Sequence, residues 1–479
     1  MPSPNSHNQV LNYGGYVALA LAIAVRLIIY LMNRSLFIDE AFLAFNLIER
    51  DWLGLLSILD YEQAAPIGFL LVTEFVTMLA GHSEYALRLF PTVLSVLSCV
   101  ILFKLMSEIA PPATAIILLW FTSADLVLRY ATEFKQYAGD VFFALLLIYV
   151  VLRALKSTEH PQRDWAIWAG VASVAVWFSH PSVFVIAGIG FSVMLSAVFQ
   201  HDWVLLRRVI IACGMAAISF GIVFFGFYQA TATGTALSDH MTSFWSNNFF
   251  VWTPLALVRF ILIIFQNMIG FDKPFMVGLI IFGFGFVIGL RRLPLRTTGL
   301  FLLPILVTMV ASSLELYPLA ERFLLFALTG VMVIVSVGLT DFYSTLQQAN
   351  RWVAYTVAIG VIVYLFWGVT VDYRTYQARA VYAEIEATQA NEADVIYAAL
   401  RANYMARYYE VDVETFTETD VNILGSAQSE GLVWVVYSGR DFAFHASYEP
   451  IAQAADQAYM KGETSYFCFD GTVRRCPLD

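Results

Sequence analysis

The 479 residues are 59% hydrophobic and only 13% charged, with a mean hydropathy of +0.69. That is too apolar for the surface of a soluble domain, and it leaves a polytopic α-helical membrane protein. Residues 372–479 hold 17 acidic against 8 basic residues, so nearly all of the formal charge of −10 lies in this tail, which excludes nucleic acid as a partner.

Runs long enough to cross about 30 Å of hydrocarbon fall at about 13–32, 86–106, 112–128, 138–154, 165–179, 182–199, 207–227, 275–290, 299–313, 323–340 and 352–370. They predict about eleven transmembrane helices. The first run lacks a small-residue cleavage site and follows "MPSPNSHNQVLNYGG", which has no basic n-region, so it is expected to persist as a helix. An inside N-terminus puts Lys104, Arg153, Lys156, Arg163, Arg207, Arg208, Arg291, Arg292, Arg296 and Arg351 on the cytoplasmic side. The outer loops then carry Arg34, Arg88, Arg129, Lys135, Lys273 and Arg322, and an odd number of spans places the C-terminus outside.

The first outer loop, about 33–85, opens with "SLFIDEAFLAFNLIERDWLGLL". Asp at the centre of a spanning helix costs roughly 2.5–3.5 kcal/mol, so Asp39 and Glu40 belong at the water edge. Ile38, Phe42 and Phe45 recur at helical spacing over 37–49, and 66–79 is apolar apart from Gly68 and Glu74; both read as helices lying in the membrane interface. From residues alone, the Asp39–Glu40 pair serves either to cap a helix or as a site.

Between the third and fourth spans, "LRYATEFKQYAGDV" crowds Arg129, Glu133, Lys135, Gln136, Tyr137 and Asp140 into one turn. It is either a solvated turn with snorkelling cations or a set of groups for chemistry. His180 stands at a helix break in "WFSHPSVF", where a helix-end hydrogen bonder and a catalyst are both open readings. A second outer segment, about 228–274, is rich in aromatics suited to the headgroup zone, and its run 255–270 could be a further span. The last outer turn, "LELYPLAERFLLF", offers Glu315, Tyr317, Glu321 and Arg322. The tail alternates short apolar runs, "DVIYAAL", "GLVWVVYS" and "SYFCFDG", with helix-like "RANYMARYY", which predicts a small α/β domain over 372–479 after a membrane domain over 1–371. Cys99 and Cys213 fall inside spans, whereas Cys468 and Cys476 either close a short loop as a disulfide or remain free thiols.

Carboxylates that accept a proton and cations that hold a phosphate suit an enzyme moving a sugar from a lipid phosphate to a hydroxyl. The succession "IDEAFLAFNLIERDW", "LDYEQAAPIGFLLVTEF", "GHSEYALRLFP", "EFKQYAGDV", "WFSHPSVFVIAG" and "YPLAERFLLF" resembles integral membrane glycosyltransferases of the GT-C superfamily over about residues 10–370. The branch is that shared by family 39 protein mannosyltransferases and lipopolysaccharide sugar transferases. The resemblance implies a polyprenyl-phosphate-linked monosaccharide as donor, membrane lipids as surroundings, a site on the outer leaflet of a bacterial inner membrane, and inversion at the anomeric carbon. It implies Asp39 as general base or acceptor-orienting group, accompanied by Glu40. Lys135, with Gln136 and Tyr137, matches the "KQY" turn and would hold the donor phosphate; Tyr317 and Arg322 match the "YP…R" turn, with Arg322 as the second clamp. Arg88, Glu133 and His180 are secondary candidates, and a divalent cation at Asp39 is compatible with the family. Where protein mannosyltransferases have a histidine-proline-proline turn, this chain reads "QAAPIG", so a glycan, a lipid or a protein is open as acceptor. A transporter or flippase of lipid-linked sugars is the alternative, and it would show paired repeats with broken helices. A scaffold presenting the acidic tail would leave the charged turns unexplained.

Overall fold

The computed structural model describes residues 4–229, 243–270, 273–369, 379, 382–383, 395–411, 414–416, 433–438, 459–461, 464–469 and 473–474. In chain order the helices are α1 (Pro4–Leu31), α2 (Ile38–Glu49), α3 (Ile67–Ala80), α4 (Glu84–Ile109), α5 (Thr114–Ser123), α6 (Asp125–Arg129), α7 (Tyr137–Lys156), α8 (Pro161–Phe178), α9 (Ser182–Phe199), α10 (Trp203–Val223), α11 (Pro254–Ile269), α12 (Phe275–Arg292), α13 (Leu295–Ser313), α14 (Leu325–Ala349), α15 (Arg351–Phe366) and α16 (Leu400–Tyr408). The chain forms two compact units. One comprises residues 1–31, 51–81 and 85–371; the other comprises 32–50, 82–84 and 372–479.

In the first unit, eight helical stretches among the described residues are long and apolar enough to cross a bilayer: Tyr13–Leu31, Glu84–Ile109, Tyr137–Lys156, Ser182–Phe199, Trp203–Tyr228, Phe275–Arg292, Leu295–Ser313 and Glu321–Ala349. The protein is therefore an α-helical integral membrane protein. The remaining predicted runs differ for local reasons. The run at 112–128 is broken, because α5 stops at Ser123 and Ala124 is extended before α6 begins. Helix α8, at the run 165–179, opens with Arg163 and Asp164 in its first turn, and α15, at 352–370, has 16 residues. Helix α11 also has 16 residues, shorter than the about 20 that a perpendicular span takes.

Helix α14 is the centre of this unit. Every residue from Leu325 to Gly338 is buried, so the helix is apolar all round because it meets protein on all sides. It packs against α12, α7 and α15. Lipid tails are as apolar as leucine, so helices associate in a bilayer through close packing of small residues. At the α12–α14 crossing, a Cβ on Gly338 would run into the Gly285 carbonyl, and one on Gly289 would run into the Ile334 carbonyl. Arg26, fully buried in α1, ties three helices together through neutral oxygens: its Nε donates to Ser95 Oγ at 2.8 Å, Nη1 to Ala22 O at 2.9 Å and Nη2 to Phe121 O at 3.1 Å.

The second unit joins α2 to the tail. Its sheet has the order β2 (Glu414–Phe416), β1 (Val395–Ala399), β3 (Val433–Ser438), β5 (Thr464–Phe469) and β4 (Tyr459–Lys461), with β6 (Val473–Arg474) also paired to β5. Pairs β1–β2 and β1–β3 are parallel, and those involving β5 are antiparallel. Helix α16 follows β1 directly and packs on α2. Phe42 meets the Tyr404 ring edge-on at 4.9 Å, and the Arg407 guanidinium sits 4.9 Å above the Phe45 ring. Cys476 lies outside the described residues.

The α12–α14 crossing yields a paired test. Gly338→Val should lower the stability of the detergent-solubilised protein by about 2 kcal/mol or more, because the obstruction is backbone and cannot yield. Gly283→Ala, on the open face of α12 with nothing within 4 Å, should leave the melting temperature unchanged or raise it. Equal melting temperatures for wild type and Gly338→Val would show that the crossing is looser than described.

Candidate active site

The turn between α6 and α7 is not solvated. Every residue from Tyr130 to Asp140 is buried, including Glu133, Lys135, Gln136 and Asp140. Each ion removed from water costs several kcal/mol unless hydrogen bonds and opposite charges offset it. Ionisable groups inside a membrane bundle accordingly point to function.

Lys135 Nζ donates to Gln63 Oε1 at 2.6 Å. The Gln63 amide is aimed by its own loop, where Tyr61 (φ 58°) and Glu62 (φ 53°) are both in the left-handed region. Gln63 Nε2 donates to the Tyr61 carbonyl at 2.9 Å, leaving the amide oxygen for the ammonium. Sequence reasoning missed Gln63. It opens the "QAAP" segment, the one place where the chain departs from the family pattern.

Arg322 lies among three aromatic rings, its guanidinium 5.9 Å from the Tyr137 centroid, 5.3 Å from Trp245 and 5.5 Å from Phe323. Rings attract a weakly hydrated guanidinium through their quadrupole. Tyr137 is thus the link between the two candidate clamps: it is two residues from Lys135 and in contact with Arg322. Trp245 and Phe323 were not singled out from the sequence. Tyr317 braces the same turn, with its hydroxyl donating to the Phe323 carbonyl at 3.1 Å and its ring edge-on to Phe184 at 5.1 Å. Burial, and then the nearby Asp140 and Tyr137, push the Tyr317 hydroxyl well above its ordinary range, so it stays protonated.

A second polar patch adjoins this one. Asp140 lies against Ser179 at the break between α8 and α9. Among the described residues, Gln136 Oε1, Asp140 Oδ1, Ser179 Oγ, His180 Nε2 and Ser182 Oγ are buried without a hydrogen-bond partner. Buried polar atoms left open in this way are where a polar ligand or ordered water is accommodated. The His180 ring meets Tyr228 edge-on at 5.0 Å, and the Tyr228 hydroxyl accepts the Ile67 N–H at 2.9 Å, which ties the break to the start of α3.

Asp39 and Glu40 belong to the other unit, on the first turn of α2. Glu40 is fully buried; its Oε2 accepts the Phe37 N–H at 2.8 Å and lies 3.5 Å from Arg34 Nη1. That is the capping arrangement of a carboxylate at the third helical position. Glu40, expected to accompany Asp39, thus holds the start of α2 in this structure. Asp39 is half-buried. Arg88 and Glu133 are both buried, on α4 and in the 130–136 turn. Among the described residues no group of three or more His, Cys, Asp or Glu side chains is spaced to hold a metal.

The profile of the dolichyl-phosphate-mannose-protein mannosyltransferase family matches residues 64–225, about a third of the chain. No curated protein sequence matches. Among solved structures, ArnT from Cupriavidus metallidurans bound to undecaprenyl phosphate superposes with a TM-score of 0.56 at 12% identity, over 96% of this chain and 99% of that one. The oligosaccharyltransferase of Archaeoglobus fulgidus, in complex with zinc and sulfate, superposes with a TM-score of 0.51 at 11% identity, over 96% of this chain and 74% of that one. The chain has the GT-C glycosyltransferase fold. The motif succession read from the sequence over about residues 10–370 and the superposition agree on this GT-C architecture.

Burial in this GT-C fold holds the His180 imidazole down to about 4, from an ordinary 6.5. The unfolded chain takes up a proton near pH 6.5 that the folded protein refuses until about pH 4. Stability should therefore fall as pH drops from 6.5 towards 4, by up to about 3 kcal/mol. Melting temperatures between pH 7 and 5 should decline less steeply in His180→Gln than in wild type, and parallel slopes would remove His180 as a cause.

Proposed function

We propose that the protein transfers a monosaccharide from a polyprenyl-phosphate donor to an acceptor hydroxyl at the outer face of a bacterial inner membrane. The observation that carries this reading is the pair of cations flanking Tyr137, the buried Lys135 on its amide partner and the half-buried Arg322 among its aromatic rings. Support also comes from the ArnT structure of the same fold, described as bound to undecaprenyl phosphate, and from the family profile, whose name specifies a dolichyl-phosphate-linked mannose donor.

The chemistry follows from charge. As the bond between the anomeric carbon and the phosphate oxygen breaks, a singly charged phosphodiester becomes a phosphomonoester that gains negative charge. Lys135 and Arg322 offset that gain, Arg322 through its fork and Lys135 as a point charge. The acceptor oxygen attacks the anomeric carbon from the opposite face, and its proton passes to the Asp39 carboxylate. One displacement inverts the anomeric configuration. Tyr317 and Tyr137 shape the Arg322 turn, and the open polar atoms on Gln136, Asp140, Ser179 and His180 suit the hydroxyls of the sugar. The donor set and Asp39 are also compatible with a bound divalent cation, through which no step is routed.

Purified enzyme assayed with a radiolabelled lipid-phosphate sugar gives the test. Asp39→Asn should lose about 10²–10⁴-fold in turnover with its melting temperature kept. Lys135→Ala and Arg322→Ala should each lose about 10²-fold or more in kcat/KM for the donor. Wild-type turnover in Asp39→Asn would remove it as the base, and unchanged donor kinetics in both cation variants would remove the clamp.

A further inference from the structure

The five residues that lead into α2, Asn33 to Phe37, are individually held by side chains or backbone groups within their own unit. Asn33 is in the left-handed region (φ 42°), and its carbonyl accepts from Arg379 Nη2. Arg34 pairs with Glu40. Ser35 Oγ accepts the Arg379 backbone N–H at 3.2 Å. The Leu36 N–H donates to the Tyr409 hydroxyl at 3.1 Å, and the Phe37 N–H donates to Glu40 Oε2 at 2.8 Å. Arg379 and Tyr409 are in turn fixed to one carboxylate oxygen: Arg379 Nη1 lies 2.9 Å from Glu84 Oε1, and the Tyr409 hydroxyl donates to the same atom at 3.1 Å. Glu84 is largely buried.

Two of these five residues depend on Glu40 and three on the tail. Glu40 alone fixes the local start of the helix, because its partners are three and six residues away. The tail fixes where that start is placed, because Arg379 and Tyr409 reach across more than three hundred positions of chain. Asp39 sits two residues past the held segment, on the first turn of α2. A short segment gripped at every residue transmits a displacement at either end to the turn that follows it. Hydrogen bonds to charged groups such as those of Arg379 and Glu84 are about twice as strong as neutral ones, so the grip is firm.

We propose that Arg379 and Tyr409 are positioning residues of the C-terminal domain, which set the placement of Asp39 by clamping residues 33–36 through Glu84. The tail is then part of the catalytic apparatus and not a separate appendage. This rests on the reading of Asp39 as the base.

The test uses full-length protein in detergent or nanodiscs and two variants. Arg379→Ala removes the fork, and Tyr409→Phe removes only one oxygen, which guards against simple misfolding. Hydrogen exchange, followed by mass spectrometry, should rise about tenfold or more in peptides covering 33–40, with peptides from α7 unchanged. Turnover should fall about tenfold while donor KM stays within about twofold, and Arg379→Lys should recover part of it. Unchanged exchange in both variants overturns the clamp, as does raised exchange with wild-type turnover. Asp39→Asn assayed alongside keeps the two ideas apart. If that variant retains turnover, the reading of Asp39 as the base falls, and a turnover loss in Arg379→Ala then overturns the route through Asp39, whatever the exchange shows.

Discussion

The constraint on which the first unit depends is that charged side chains lie inside an apolar bundle, and each must be held by a neighbour able to offset lost hydration. The 130–140 turn meets it in several ways. The Lys135 ammonium takes an amide oxygen whose loop is bent through two left-handed residues to present it. The Arg322 guanidinium takes the faces of three rings. Arg26 shows the contrasting structural use: its guanidinium is spent on a serine and two carbonyls that bind α1 to α4 and α5.

Much of the architecture was legible because it rests on local apolarity. The wholly buried face of α14 reads as an unbroken apolar run, and the interfacial spacing of Ile38, Phe42 and Phe45 reads as α2. The break at Ala124 was marked by "TSAD", whose Asp125 opens the next helix, but the apolar residues on either side outweighed it in the run at 112–128. Lys135 and Arg322 were singled out through motif order. Their neighbours were not: Gln63 and Trp245 come from loops about 72 and 77 positions from the groups they serve, and a lone glutamine or an aromatic in a headgroup-like segment carries no mark of its partner.

The pair Asp39–Glu40 shows a finer limit. Adjacent residues on a helix point about 100° apart, so two neighbouring carboxylates meet different surroundings. Composition and position leave both candidates equal, and only the fold sorts them. Glu40 turns back to the Phe37 N–H and vanishes from solvent, whereas Asp39 stays half-exposed. The capping contact belongs to Glu40, and Asp39 is the carboxylate of the pair that solvent reaches.

That sorting also explains why the tail needs to reach the segment leading into α2. A capping box fixes the first turn of a helix relative to its own preceding residues, yet a 12-residue helix has no strong stability of its own in isolation. Its placement has to come from tertiary contacts. Tyr404 and Arg407 supply them along the apolar face of α2, and Arg379, Tyr409 and Glu84 supply them ahead of its first turn. Removing the tail would therefore leave α2 with a cap but without a fixed direction.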